Sequence, residues 1–250
     1  MEDLTSAMMG KTALITGGAR RLGKAMALTL ARQGANVVIH YNKSAGAASS
    51  LGDQIRAAGV QAWAIQADLC DKGQADGLFQ QAVELAGPVS VLINNASIFK
   101  TETLGEMSAE SLRQNIDIHA LAPLILSRAM ASQGRAGHIV NLLDTRVTSY
   151  DRNHAAYHLS KRLLLTLTRM LALELAPDIA VNAVAPGLIL PPEGKDRSYL
   201  ENLAHTNPLN RVGCERDVTD AVLFLLESRF VTGQIIYVDG GFHMKGHMYD

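Results

Sequence analysis

Apolar positions run along the chain in two alternating rhythms. The segment "TALITGG" is a short apolar run of β-forming residues ending in glycines, and "KAMALTLARQGA" then spaces its apolar residues at helical intervals and closes at Gly34. The pair repeats: "NVVIHY" predicts a second strand, residues 45 to 58 a helix, "VQAWAIQADL" a strand, "GQADGLFQQAVELAG" a helix and "VSVLINNAS" a strand. A long helical stretch follows from about 108 to 133, then the strand "GHIVNLL", a helix from about 154 to 176 and the strand "AVNAVAP". Residues 187–212 break the rhythm with three prolines and many polar residues, and predict a mobile loop with short helices over a pocket. A helix near 215–227 and the strand "GQIIYVDGG" close the pattern. Strands alternating with helices of this length call for an α/β fold, a doubly wound parallel sheet covered on both faces with right-handed crossovers. No repeat or linker divides it, so residues 1–250 are expected to form one domain, with a flexible N-terminus at 1–9, a substrate loop at 187–212 and a C-terminal tail at 243–250.

Composition narrows the class. Of 250 residues 48% are hydrophobic and 19% charged, and the formal net charge is −1, which is ordinary for a soluble globular protein. No basic block stands ready to neutralise a row of phosphates, so neither nucleic acid nor a membrane surface is an expected partner. The two cysteines, Cys70 and Cys214, form no C-x-x-C pattern, and the eight histidines are scattered apart from His243 and His247 in the tail. Neither a disulfide framework nor a metal site is expected. The first nine residues hold no apolar run of secretory length, which makes the expected location cytoplasmic.

Candidate chemistry begins after the first strand. "TGGARRLG", residues 16–23, leads straight into a helix, where glycines such as Gly17 and Gly23 let the backbone approach a pyrophosphate. The unpaired amides and positive end of the helix then face the anion. Such a turn can also be no more than a tight connection; the strand-turn-helix context favours dinucleotide binding and a Rossmann-type sheet. At the end of the second strand, where an acid would accept from a free ribose 2′-hydroxyl, none is present. Tyr41, Asn42, Lys43 and Ser44 stand there instead, and Arg21 of the glycine loop is within reach of the same place. Donors from two separate loops suit a 2′-phosphate, so NADPH is expected over NADH.

Further along, Tyr157 and Lys161 are four apart in a helical pattern and project from one face. An ammonium near a phenol favours phenolate and is expected to lower the tyrosine pKa toward neutrality, so that Tyr157 can pass a proton during hydride transfer while Lys161 also holds ribose hydroxyls. Alone, Y-x-x-x-K is common on helix surfaces. With "TGGARRLG", "ADL" at 67–69, "NNAS" at 94–97, "YHLSK" at 157–161, "VNAVAPG" at 181–187 and "VDGG" at 238–241, however, the chain resembles the short-chain dehydrogenase/reductases over nearly its whole length. The resemblance implies that Gly17, Arg21, Leu22, Gly23, Asp68, Leu69, Asn95, Ala96, Ser97, Lys161, Pro186 and Gly187 line the cofactor. It also implies a homotetramer joined through long helices, and "LLLTLTRMLALEL" is apolar on more than one face, as burial by both sheet and partner requires.

Three departures are informative. Arg21 takes the middle position of the glycine motif, Asp144 stands where that family usually has a catalytic serine, and His119 stands where it usually has an asparagine. Arg21, Asp144 and "NNAS" followed by Phe99 resemble the pteridine reductases; His119 is similar to the bacterial dihydromonapterin or dihydrofolate reductases of the same family. The chemistry agrees. An ionised aspartate opposes the negative charge that builds on a ketone oxygen, whereas reduction of a C=N bond leaves a nitrogen that must gain a proton. Burial is expected to keep Asp144 partly protonated for that purpose. A dihydropterin presents such a bond at N5 and C6, and its flat ring would stack on Phe99, with Ser97, Tyr157 and Leu188 also meeting the substrate. Phe99 can equally be a core residue, and Asp144 a carboxylate satisfied by loop amides or Arg146. The expected activity is NADPH-dependent reduction of dihydromonapterin, dihydrobiopterin or dihydrofolate to the tetrahydro form. A carbonyl reductase acting on a ketoacyl or sugar-type substrate, and a non-catalytic NADPH-binding sensor, stand as the competing readings.

Overall fold

The computed structural model describes residues 7–149 and 152–247, the side chains of the last two excepted. Seven strands form one sheet: β1 (Thr12–Ile15), β2 (Asn36–Tyr41), β3 (Ala62–Gln66), β4 (Val91–Asn94), β5 (Gly137–Leu142), β6 (Ile179–Pro186) and β7 (Ile235–Val238). All neighbours are parallel, in the order β3-β2-β1-β4-β5-β6-β7. The order reverses between β1 and β4, and the crevice beyond the carboxyl ends of those strands is where an open α/β sheet takes its ligands.

Successive side chains of a strand point to opposite faces, so each central strand feeds two cores. Leu14, Val38, Leu92, Ile139 and Val181 pack with Leu78, Phe79, Leu126 and Leu171. These four come from α3 (Lys72–Ala86), α5 (Ala122–Ala131) and α6 (Ala155–Glu174). Ile15, Ile39, Ile93, Val140 and Val184 pack on the other side with Met26, Leu30, Leu51, Ile55, Val222 and Leu225. Those belong to α1 (Arg21–Arg32), α2 (Ala45–Ala57) and α8 (Glu215–Glu227). Burial on both faces is why the strands read as continuous apolar runs.

Three expectations need adjustment. The stretch 108–133 is a composite of α4 (Ala109–Ile116), a π-helical turn at Asp117–Leu121 and α5, because the apolar spacing that predicts one helix cannot reveal a wide turn within it. The expected flexible N-terminus is too long: Met8 is fully buried in the core and the Gly10 N–H donates to Gly34 O at 3.0 Å, while residues 1–6 lie outside the described residues. The tail is shorter than expected too. Phe242–His247 form a 3₁₀ turn, and His243 stacks on Tyr237 with its ring nitrogen 2.9 Å from the buried Asp239; residues 248–250 lie outside the described residues. The loop after β6 carries short helices at α7 (Arg197–Glu201) and Ala204–Thr206, as its composition predicts.

Candidate active site

The glycine loop is packed too closely for side chains. A Cβ on Gly23 would stand 2.2 Å from Gly17 O and 2.8 Å from Asn95 Nδ2, and one on Gly17, whose φ is +60°, would meet Ala96 Cα at 2.9 Å. Arg21 also sits in the left-handed region, φ 51°, a conformation a glycine adopts without cost and which explains why glycine is usual there. No side chain caps the start of α1, so its first amides stay available. A bare backbone and an uncapped helix N-terminus at the carboxyl edge of the sheet fit a dinucleotide pyrophosphate.

Two residues that the sequence pattern did not single out hold this loop. His40, buried in β2, accepts the Gly17 N–H on Nδ1 at 3.1 Å and donates from Nε2 to Ala67 O at 3.0 Å. Burial lowers its pKa, which keeps the accepting nitrogen free. Thr16 Oγ1 accepts from the backbone N–H groups of Asn95 and Ala96 at 2.9 and 3.0 Å. Asn95 Nδ2 donates to Thr16 O at 2.9 Å and Gly17 O at 3.1 Å, so its side chain fastens β4 to the loop. A polar residue inside an apolar strand, His40 in "NVVIHY", is the one signal that could have marked it.

The expected cofactor residues fall around this cradle unevenly. Asp68 accepts the Cys70 N–H at 3.0 Å beside the buried Leu69, and Gly187 N–H donates to Val238 O at 2.9 Å. Asn42 and Lys43 are exposed just beyond β2, next to Tyr41 and Ser44. The Arg21 guanidinium donates to Pro191 O at 2.7 Å, engaging the loop after β6. Leu188 lines a cavity of about 720 Å³ with Asn207, Tyr237 and Asp239, beneath that loop.

The catalytic candidates do meet. Tyr157 and Lys161 are buried on one face of α6, and Tyr157 Oη donates to Asp144 Oδ2 at 3.2 Å. Asp144 begins the 3₁₀ turn Thr145–Thr148, and its Oδ1 accepts the Arg146 N–H at 2.7 Å. Both carboxylate oxygens therefore have partners, one the phenol and the other a backbone N–H. The loop-amide contact foreseen as an alternative for Asp144 is present alongside the phenol contact. Phe99 is not a core residue; it is 51% exposed, stacked on His154 at 3.9 Å and edge-on to Tyr157 at 4.7 Å between centroids.

One electrostatic expectation is overturned. The Tyr157 pKa is raised well above the usual phenol value, first by burial and then by the Asp144 carboxylate and the hydrogen bond to it. Arg146 acts in the opposite sense, while Lys161 donates to Leu142 O at 2.6 Å, lies 5.7 Å from the Tyr157 ring centre and has its own pKa lowered to about 8 by burial. Tyr157 is thus a neutral hydroxyl with a proton to give.

His119 completes the surroundings. Lying on the π-helical turn, it is buried, stands 2.9 Å from Ser97 Oγ and 2.7 Å from Ser160 Oγ, and meets Tyr157 edge-on at 5.3 Å. Ser97, exposed at the end of β4, reaches the tyrosine's neighbourhood through it.

With cradle and Tyr–Lys pair in place, the class of protein is defined. The family model described as enoyl-(acyl carrier protein) reductase matches residues 17–243, and the chain belongs to this short-chain dehydrogenase/reductase family. Among solved structures, it is similar to FolM alternative dihydrofolate reductase 1 from Brucella suis in complex with NADP, at 35% identity, 98% coverage of both chains and a TM-score of 0.90. It is also similar to the 3-oxoacyl-[acyl-carrier-protein] reductase FabG of Staphylococcus epidermidis, 33% identical over 94% of this chain and all of that one. An uncharacterized oxidoreductase of Methylorubrum extorquens is 34% identical over 94% of this chain and 99% of the relative.

Proposed function

We propose that this protein is an NADPH-dependent reductase of 7,8-dihydropterins, taking dihydromonapterin, dihydrobiopterin or dihydrofolate to the tetrahydro form. One observation carries the reading: a carboxyl group, that of Asp144, is hydrogen-bonded to Tyr157 at 3.2 Å. Bound NADPH supplies the hydride. This chain's residues supply everything else. Tyr157, held protonated by burial and by Asp144, donates toward the ring nitrogen that must gain a proton, and Asp144 stabilises the positive charge that protonation brings. Lys161 would hold the ribose hydroxyls of the cofactor, and Phe99, which is half exposed, would stack on a flat ring. The likeness to the NADP-bound FolM reductase supports both cofactor and substrate class.

A ketoacyl or other carbonyl reductase is the second reading, and the FabG relative is what favours it. NADPH oxidation measured with a panel of dihydropterins beside a panel of 3-oxoacyl and other ketones separates the two. Turnover of the dihydropterins is expected; turnover of ketones with none of any pterin would transfer the assignment to carbonyl reduction.

A further inference from the structure

The hydrogen bonds around His119 form a chain whose direction is fixed at both ends. At the inner end Ser160 Oγ donates to the carbonyl of Tyr157 at 2.7 Å, and a carbonyl can only accept. With its hydrogen committed there, Ser160 Oγ faces His119 Nδ1 at 2.7 Å as an acceptor, so Nδ1 carries the proton. The opposite nitrogen gives the same answer independently: the backbone N–H of Ile98 donates to Nε2 at 3.2 Å, so Nε2 is bare. Ser97 Oγ lies 2.9 Å from that bare nitrogen, a separation that requires the hydroxyl to donate; its alternative acceptor, Ile98 O, is at 3.5 Å. Ser97 is otherwise exposed.

We propose that His119 is a positioning residue that sets the hydrogen-bond polarity of the substrate pocket: by taking the Ser97 hydroxyl hydrogen, it leaves Ser97 with lone pairs alone, so that this corner selects a ligand's amino group over a carbonyl oxygen. The ordering runs Ser97 to His119 to Ser160 to the Tyr157 carbonyl, and it ties the end of β4 to the helix that carries the reacting phenol. Burial and the nearby charge of Lys161 keep the imidazole neutral, in agreement with the bonding pattern. A neutral ring whose one proton is spent on Ser160 is not built to relay protons. His119 therefore differs in kind from Tyr157: it chooses which edge of the ligand is bound.

The inference rests on the pterin reading for its ligand, and its test keeps the two apart. Long-range ¹H–¹⁵N correlation on histidine-labelled protein is expected to show His119 as the Nδ1–H tautomer throughout about pH 6 to 8. An Nε2–H tautomer or an imidazolium overturns the inference whatever the substrate is. Binding of pterin and of lumazine, the same ring with a carbonyl in place of the 2-amino group, is then compared at saturating NADP⁺. The wild type is expected to prefer pterin by about tenfold, the size of one hydrogen bond made or left unmade. In His119→Phe the Ser97 hydroxyl is free to turn and donate, and the preference is expected to fall about tenfold; in Ser97→Ala it falls as well, because the acceptor is gone. An unchanged pterin-to-lumazine ratio in folded His119→Phe, or in Ser97→Ala should the first variant not fold, overturns the inference. Failure of both ligands to bind the wild type sinks the pterin reading, while the tautomer measurement still decides the polarity.

Discussion

Replacing Asp144 by Asn keeps the shape of the side chain and removes its charge, and the two candidate reactions should respond in opposite directions. In ketone reduction the oxyanion forms within hydrogen-bonding reach of the Tyr157 hydroxyl, and Asp144 Oδ2 lies 3.2 Å from the same hydroxyl. The two negative charges would then be about 5 Å apart, a repulsion of about 3 kcal/mol at an effective dielectric constant of 20. Asp144 is only partly buried, so solvent trims this, and loss of the charge should raise ketone turnover by about tenfold to a hundredfold. In reduction of a dihydropterin the sign reverses. The charge that stabilises a protonating nitrogen is lost, and with it a charge-assisted hydrogen bond worth about 1.5–3 kcal/mol, so kcat should fall by about tenfold to a hundredfold. Steady-state kinetics of Asp144→Asn with one dihydropterin and one ketone measure both arms, and cofactor affinity by fluorescence titration should stay within about threefold, since Asp144 belongs to the substrate side. Equal losses with both substrates, at unchanged thermal stability, would refute the electrostatic role of this carboxylate.

Other perturbations probe the remaining parts. Lys161, whose pKa burial brings down to about 8, is charged below that pH and neutral above it, so kcat/KM for NADPH should decline as pH rises through about 8; a flat profile into the alkaline range would show that its charge is not used. Gly23→Ala drives a methyl to 2.2 Å from Gly17 O and should abolish NADPH binding in a titration, at a stability cost of about 1–3 kcal/mol in thermal unfolding. The ratio of specificity constants should favour NADPH over NADH, and Lys43→Ala should narrow it; a wild-type preference for NADH would remove the 2′-phosphate assignment. On α6, Leu159, Leu163, Met170 and Leu173 are exposed at spacings that place them along one side of the helix, and Leu173 is 84% exposed. A homotetramer that buries them predicts a fourfold mass in light scattering and dissociation by Leu163→Glu; a monomeric wild type would refute it.

Much of this molecule was legible in the order of its residues because the signals are redundant. A strand such as "NVVIHY" is apolar on both faces, a helix such as "KAMALTLARQGA" repeats its pattern for three turns, and six separate segments agree on one fold. What escaped legibility depends on geometry finer than a pattern. Met8 lies in a stretch with no periodicity, yet the bend at Gly10, bonded to Gly34, carries it into the core. The left-handed backbone at Arg21 and its contact with Pro191 O are likewise invisible in the residue pattern. Four-residue spacing shows that Tyr157 and Lys161 share a helix face but not which way the ammonium points, nor how deeply the phenol is buried. Lys161 donates to Leu142 O, and burial, followed by the Asp144 carboxylate, raises the Tyr157 pKa.

The same dependence on fine geometry shows how a few side chains around one phenol can differ while the scaffold stays the same. A π-helical turn holds one residue more than an α-helical turn would, so a helix containing it changes phase, and such turns are frequent at functional sites. Here the change of phase falls at Asp117–Leu121 and brings His119 between Ser97 and Ser160. Placed there, a histidine reaches further than an asparagine and touches two elements at once. Asp144 accepts from the phenol at 3.2 Å, and Phe99 meets its ring edge-on. Tyr157 therefore has as neighbours a carboxylate that accepts from its hydroxyl, an imidazole that orders the nearby hydroxyls and the ring of Phe99. None of the three alters the sheet, the glycine loop or the Tyr–Lys spacing, which is why a ketoacyl reductase and an alternative dihydrofolate reductase can both resemble this chain at about one residue in three. The choice between their chemistries rests on charge and hydrogen-bond direction within a few ångströms of one hydroxyl.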